Sequence, residues 1–333
     1  MAESIPVLLG LVALALVFDY INGMHDSANA IATVVSTRVL SPKQAIILAA
    51  SLNFLGAFLS TAVAKTIGKG IVDPVLVTNG IVVSALVAAI FWNLVTWYYG
   101  IPSSSSHALI GGIIGATVAY HGFAKLNAEG IWKIVKSLLI SPLVGFVGGI
   151  VIMIAIMWMF HKRPAGKVNR WFKHLQLVSA SFMALSHGSN DAQKAMGIIT
   201  MAMVGMGFIP ANNFHVPIWV VLACATAMAF GTAAGGWRII KTMGVRMIKL
   251  TPVNGFAAET AASLTILTAS HLGAPVSTTH VISSAIMGVG SAKRASAVRW
   301  EIAGQMAVAW VLTIPATAFV AYAVGMGFRL FGG

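Results

Sequence analysis

The sequence predicts an all-α polytopic membrane protein: two inverted-topology repeats with interrupted or re-entrant helices, about ten to twelve transmembrane segments in all. Three observations carry this. Of 333 residues, 58% are hydrophobic and only 9% are charged, against roughly a quarter charged in a soluble domain. Apolar runs near the length a bilayer requires recur along the whole chain. Two motifs appear in the same order in both halves. The composition excludes a soluble enzyme and a disordered chain. The single cysteine, Cys224, excludes an intramolecular disulfide and a Cys-based metal site.

Apolar runs occupy residues 5–21, 43–64, 79–99, 103–120, 137–160, 175–187, 216–236, 254–271, 275–290 and 301–328. Each stops at Gly, Pro or charge. The first follows Met1-Ala2-Glu3-Ser4, which has no basic segment, and no small-residue cleavage site comes after it. It is therefore expected to stay as a span rather than leave as a signal peptide. Segments 26–40 and 191–208 are apolar but studded with Asp, Asn, Ser, Thr and Lys. They suit lipid poorly and are expected to face protein or to fold back as re-entrant pieces. A basic stretch from His161 to His174, with Lys162, Arg163, Lys167, Arg170 and Lys173, divides a first repeat (1–160) from a second (175–333). It reads as a cytoplasmic linker.

The duplication is direct. Gly100-Ile101-Pro102-Ser103-Ser104-Ser105-Ser106-His107 recurs as Gly273-Ala274-Pro275-Val276-Ser277-Thr278-Thr279-His280, an offset of 173 residues that also relates Gly115 to Gly288. Gly23-Met24-His25-Asp26 recurs as Gly188-Ser189-Asn190-Asp191, an offset of 165. If 26–40 and 191–208 do not cross, each half has five crossings. An odd number inverts one half relative to the other. With both termini outside, fourteen Lys/Arg fall in the inner loops 38–43, 160–174, 238–249 and 291–299, and six in outer loops. That is the bias of a multi-pass protein of a bacterial or archaeal inner membrane. The net charge of +13 is therefore read as membrane orientation, not as a nucleic-acid surface. Inverted repeats with interrupted helices are the usual construction of secondary transporters.

Each Gly-x-Pro-hydroxyl motif opens an apolar helix, since proline suits a first turn and Ser/Thr suit a cap. Ser104, Ser105 and Ser106 and their counterparts Ser277, Thr278 and Thr279 would offer hydroxyls and free N–H groups at two positive dipole ends, a receptor for a tetrahedral oxyanion. One cap needs one hydroxyl, so a duplicated run argues for more than capping. Four of the eight acids, Asp19, Asp26, Asp191 and Glu259, lie in apolar surroundings, where an ionisable group is a functional candidate. Asp26 and Asp191 are repeat-equivalent and are the leading cation ligands, because hard cations take carboxylate, amide and hydroxyl oxygens. Glu259 has no acidic counterpart. It reads either as a third cation or proton site or as a carboxyl hydrogen-bonded in the bundle, and Asp19 as an ion pair or such a carboxyl. Lys194 either attracts the anion or neutralises Asp191 three residues before it. His107 and His280 either contact the anion, fix the helix tip or are simply packed.

These residues resemble the inorganic phosphate transporter (PiT) family, marked by a Gly-x-Asn-Asp signature in each half. Gly188-Ser189-Asn190-Asp191 matches it directly. Gly23-Met24-His25-Asp26 matches except for His25 in the Asn position. Asn22 to Asp26, Trp92 to Gly100 and Ser186 to Lys194 are similar to the low-affinity bacterial members. The resemblance implies cation-coupled phosphate uptake by alternating access. It implies that Asp26 and Asp191, with Asn22, Asn29, Asn190 and Gln193, form ion and phosphate ligands together with the two hydroxyl clusters. His25 leaves the ion open between Na⁺ and H⁺, with metal-phosphate as a further form of the cargo.

A sulfate or other oxyanion permease of the same fold is the nearest alternative. An intramembrane Ser/His hydrolase is disfavoured, because duplicated hydroxyls without one positioned base resemble a symmetric binding site. A passive anion channel predicts flux without a cation gradient. No catalytic residue, cofactor, nucleic-acid partner or metal beyond the coupling cation is expected. The expected partners are phosphate, the cation and the bilayer, and a homo-oligomer is compatible with the sequence.

Overall fold

The protein is described by a computed structural model over residues 4–330. Met1 to Glu3, on which the signal-peptide expectation rests in part, lie outside the described residues, as do 331–333. In chain order the first half forms α1 (Ser4–Ser36), α2 (Pro42–Gly56), α3 (Ala62–Gly70), α4 (Asn79–Tyr99), α5 (Ser105–His121) and α6 (Ala128–Met159). The second forms α7 (Ala165–Gly205), α8 (Ile218–Ala234), α9 (Trp237–Lys241), α10 (Pro252–His271), α11 (Thr278–Lys293) and α12 (Trp300–Leu330). Among the described residues the only β pairing is an isolated bridge between Val72 and Leu126.

The two lists correspond one to one. A long helix carrying the signature acid (α1, α7) is followed by a broken pair (α2–α3, α8–α9). Next come a helix ending at the Gly-x-Pro motif (α4, α10), a short hydroxyl-capped helix (α5, α11) and a long final helix (α6, α12). Pro142 inside α6 and Pro315 inside α12 keep the offset of 173. The basic stretch is largely helical, because α7 already begins at Ala165.

The repeats are interlocked. The short helix of each half packs most extensively on the final helix of the other, α5 on α12 and α11 on α6. The repeat-related glycines make this approach. A Cβ at Gly115 would lie 1.9 Å from the Ala318 carbonyl oxygen, and one at Gly288 would lie 2.1 Å from that of Phe146. Backbone contact this close leaves no room for any side chain.

Polarity is arranged inside out relative to a soluble protein. Asp19, Asp26, Asp191, Lys194 and Glu259 are all buried, whereas Leu139, Leu143, Val147 and Val151 of α6 and Val311 and Phe319 of α12 are exposed. Apolar faces of this extent require lipid. Helices α1, α4, α6 and α12 are each long and apolar enough to cross a membrane, and α8 with α9 passes the same test as one span bent by 61°. The remaining apolar runs do not pass that test, being divided between helices, short, or diluted by polar residues. The expected run 43–64, for example, is two helices, α2 and α3.

The re-entrant segments lie elsewhere than expected. Of the two expected readings for residues 26–40 and 191–208, facing protein holds and folding back does not: residues up to Ser36 continue α1 and residues up to Gly205 continue α7 without interruption. Both stretches are buried against other helices, so their polar side chains meet protein, and nothing forces the backbone to break. The short pieces are instead α5 and α11, of 17 and 16 residues. At 1.5 Å per residue each spans about 25 Å, less than a hydrocarbon core of about 30 Å. Ser105, the first residue of α5, hydrogen-bonds to Asp26 well inside α1, so α5 begins in the interior.

Candidate substrate and ion site

Four helix segments bring the two motif pairs together. The extended Ser104 and Ser277 cap α5 and α11, each hydroxyl accepting the N–H three residues on, from His107 and His280, at 3.2 Å. This chemistry starts both helices at the same place relative to the repeat. It also points their first-turn N–H groups, which lack intrahelical acceptors, toward the signature acids.

The next hydroxyls reach those acids. Ser105 donates to Asp26 Oδ2 at 3.1 Å, Thr279 to Asp26 Oδ1 at 3.3 Å and Thr278 to Asp191 Oδ2 at 3.1 Å. The Asn29 amide donates to Thr278 and Thr279 at 3.2 and 3.0 Å. Lys194 lies 3.0 Å from Asp191 and 4.0 Å from Asp26. Asp26, Asp191, Ser105, Thr278 and Thr279 are all buried, so the centre is closed to both faces. The first-half and second-half motifs, far apart in sequence, form one centre.

The residue before each acid ties it to the helix ahead of the hydroxyl cluster. His25 Nδ1 pairs with Asp26 at 2.8 Å, and its Nε2 lies 3.0 Å from the Thr96 hydroxyl near the end of α4. Asn190 donates to Ser270 near the end of α10 at 2.9 Å. His25 thus stands where its repeat-mate is an amide and keeps the same tether.

Other expected ligands are placed differently. Gln193 uses its carbonyl oxygen to accept from the N–H groups of Val63 and Ala64, at 2.8 and 3.1 Å, at the start of α3. Ser27 does the equivalent for Gly236 ahead of α9, so a residue one or two positions after each signature acid holds the second piece of a broken pair. Ser106 donates to the Val276 carbonyl at 2.9 Å, joining the two hydroxyl motifs. His107 and His280 meet ring to ring at 4.5 Å, and His280 stacks on Trp310 at 3.9 Å. Asn22 is fully buried beside the Asp19 carboxyl, with no hydrogen bond of good geometry among the described residues. Glu259 belongs to a separate polar cluster, where Thr33 donates at 2.5 Å, Gln176 at 3.0 Å, and Ser179 also donates.

Sequence reading missed His187. Its Nε2 lies 3.2 Å from Asp191, while Nδ1 pairs with Asn53 at 3.2 Å. One ligand atom each from Asp26, His187 and Asp191 falls within 4.8 Å of the others, a spacing suited to a cation. The available signal was its position one helical turn before Asp191. Its repeat-mate at the offset of 165 is Asn22, an amide, so a search for identical duplicated residues passes over it.

An all-helical membrane bundle of two interlocked inverted repeats, with a closed polar centre supplied by both, is a multi-pass membrane transporter. Residues 22–321 match the phosphate transporter family. The chain is 50% identical over 318 residues to the probable low-affinity inorganic phosphate transporter of Rhizobium meliloti, with 95% of each chain covered. It is 51% identical over 310 residues to the protein of the same description in Bacillus subtilis, covering 92% of this chain and 93% of that one. A solved structure titled the sodium-dependent phosphate transporter superposes with a TM-score of 0.87 at 26% identity, covering 98% of this chain and all of the other. The chain belongs to the phosphate transporter family.

Proposed function

We propose that this protein imports inorganic phosphate by symport with a monovalent cation, alternating access to the centre between Asp26 and Asp191. The observation that carries this is competition for hydroxyls. Ser105, Thr278 and Thr279, the groups suited to a tetrahedral anion, donate to the two carboxylates. A phosphate oxygen can take those donors only if the acids give them up, and a bound cation or proton makes that exchange favourable. The charge balance agrees. Asp26 and Asp191 outnumber Lys194, so an added anion needs added positive charge.

In this reading Ser105, Thr278, Thr279 and Asn29, with the first-turn N–H groups of α5 and α11, hold phosphate. Ser104, Ser106 and Ser277 shape the cradle, and Gln193 braces α3 behind it. Asp26 and Asp191, with Asn190 and His187, hold the cation; Lys194 balances their charge. Asn22 lies on the same face of α1, and Glu259 serves a second cation step on the side of Thr33. His25 orients Asp26, and His107 with His280 forms the contact between the helix tips. The repeats 1–160 and 175–333 are joined on the cytoplasmic side through 161–174. Both termini lie outside the cell membrane, as the basic loops favour.

Radiolabelled phosphate uptake into proteoliposomes, with Na⁺ and pH gradients varied separately and sulfate as competitor, tests this. Uptake that follows a Na⁺ gradient at equal pH assigns Na⁺, and uptake that follows pH without Na⁺ assigns H⁺. Equilibration without accumulation under either gradient, or preference for sulfate, would overturn the reading.

A further inference from the structure

Two other buried carboxylates lie outside the central pair, and they are treated very differently. Glu259 receives three side-chain hydrogen bonds, from Thr33, Gln176 and Ser179. Asp19 is as fully buried, yet its oxygens have no donor of good geometry among the described residues, only a loose approach by the Asn22 side chain. Asn22, one turn further along α1, sits beside the Asp19 carboxyl. Its own amide oxygen and nitrogen are also buried without a partner of good geometry. A carboxylate and an amide left this way in an apolar bundle are costly unless something positive completes them.

Their position gives the missing group a route. Asp19, Asn22, Asp26, Asn29 and Thr33 are spaced three and four residues apart and so line one face of α1. That face runs from Asp19 past the central site to the Glu259 cluster. Seven residues separate Asp19 from Asp26, about 10 Å along the helix. The charged and titratable groups around Asp19 are Lys194 and Asp191 from α7 and Cys224 from α8. The tyrosines of α4, Tyr98 and Tyr99, are exposed at its far end. Lys194 is already 3.0 Å from Asp191, and no ion pair reaches Asp19 among the described residues.

We propose that Asp19 and Asn22 form a second site for the coupling cation, on the N-terminal side of the phosphate centre. It takes a monovalent cation through carboxylate and amide oxygens, and the ion reaches Asp26 along the polar face of α1. With the N-terminus outside, this is the first station an entering ion meets. The inference rests on the symport reading above but assigns residues that reading does not use for the central exchange.

The test compares wild type, Asp19→Asn, Asp19→Glu and Asn22→Leu in proteoliposomes. The half-saturating concentration of Na⁺ at fixed pH, and of H⁺ without Na⁺, is measured for uptake at saturating phosphate. For whichever ion drives the wild type, Asp19→Asn and Asn22→Leu should raise half-saturation about tenfold or more, within the range of coupling between linked sites, while apparent phosphate affinity at saturating cation stays near wild type. Asp19→Glu should restore most of the cation dependence. Cation-induced thermal stabilisation of the purified protein, read without transport, should shrink in Asp19→Asn and keep this test independent of expression level. Unchanged cation half-saturation and unchanged stabilisation in Asp19→Asn would overturn the second site. Absence of cation-driven uptake in the wild type would instead overturn the symport reading itself.

Discussion

Lys194 and Asp26 come from opposite repeats and stand 4.0 Å apart, with Asp191 3.0 Å from the same ammonium. A single cation thus joins the two signature acids across the pseudo-symmetric junction. Replacing it by Lys194→Met removes the balance and leaves buried carboxylates facing each other. Loss of one partner from a buried ion cluster typically costs about 3–5 kcal/mol. The variant should melt well below the wild type in detergent and bind phosphate weakly. An unchanged melting temperature would show that Lys194 is not needed to hold the acids.

The acids themselves should be separable from the fold. Asp26→Asn and Asp191→Asn keep side-chain shape and retain an acceptor oxygen for Ser105, Thr279 or Thr278. Both should therefore assemble, yet abolish concentrative uptake. Full accumulation by either in proteoliposomes would remove it from the coupling step.

Hydroxyl loss should act on the anion. Ser105→Ala combined with Thr278→Ala deletes one donor from each half, and hydrogen bonds to charged groups are worth about 1.5–3 kcal/mol each. Apparent phosphate affinity is expected to fall by about a hundredfold or more. The measurement is the half-saturating phosphate concentration at saturating cation, and a value equal to wild type would count against the cradle.

The Glu259 cluster makes a contrasting prediction. Glu259→Gln leaves one of three donors, Thr33, Gln176 or Ser179, facing an amide nitrogen, and an unsatisfied buried group costs about 1–3 kcal/mol. Stability should fall by that order in thermal unfolding. Phosphate half-saturation at saturating cation should change little, because this cluster does not touch Ser105, Thr278 or Thr279. A large loss of phosphate affinity would place Glu259 at the anion instead.

Much of the architecture was legible because it was written twice. The repeated hydroxyl motifs located the starts of α5 and α11, and the shared offset of Asp26 and Asp191 identified the centre before any contact was visible. Legibility failed where one copy acts alone or where neighbours change a segment's environment. His187 and Asn53 have no identical duplicate to flag them, whereas Asp19 is flagged by its charge alone. The polar stretches of α1 and α7 are unfit for lipid and face protein, as composition allows; that they continue their helices rather than fold back depends on neighbours composition does not reveal. Gln193 lies in the signature and invited a ligand role, whereas its carbonyl oxygen is taken by the α3 amides, a contact no local pattern announces.

The exchange of short helices between halves also sets an order of assembly during synthesis. Helix α11 emerges after its partner α6 and can dock as soon as it inserts. Helix α5 ends at His121, but its partner α12 begins only at Trp300, so its glycine-lined face stays uncovered while the residues between them are made. Helix α12 therefore closes a groove opened by α5, long before it in the chain. A chain truncated before Trp300 would present α5 to the bilayer and to quality-control proteases as an unfinished surface.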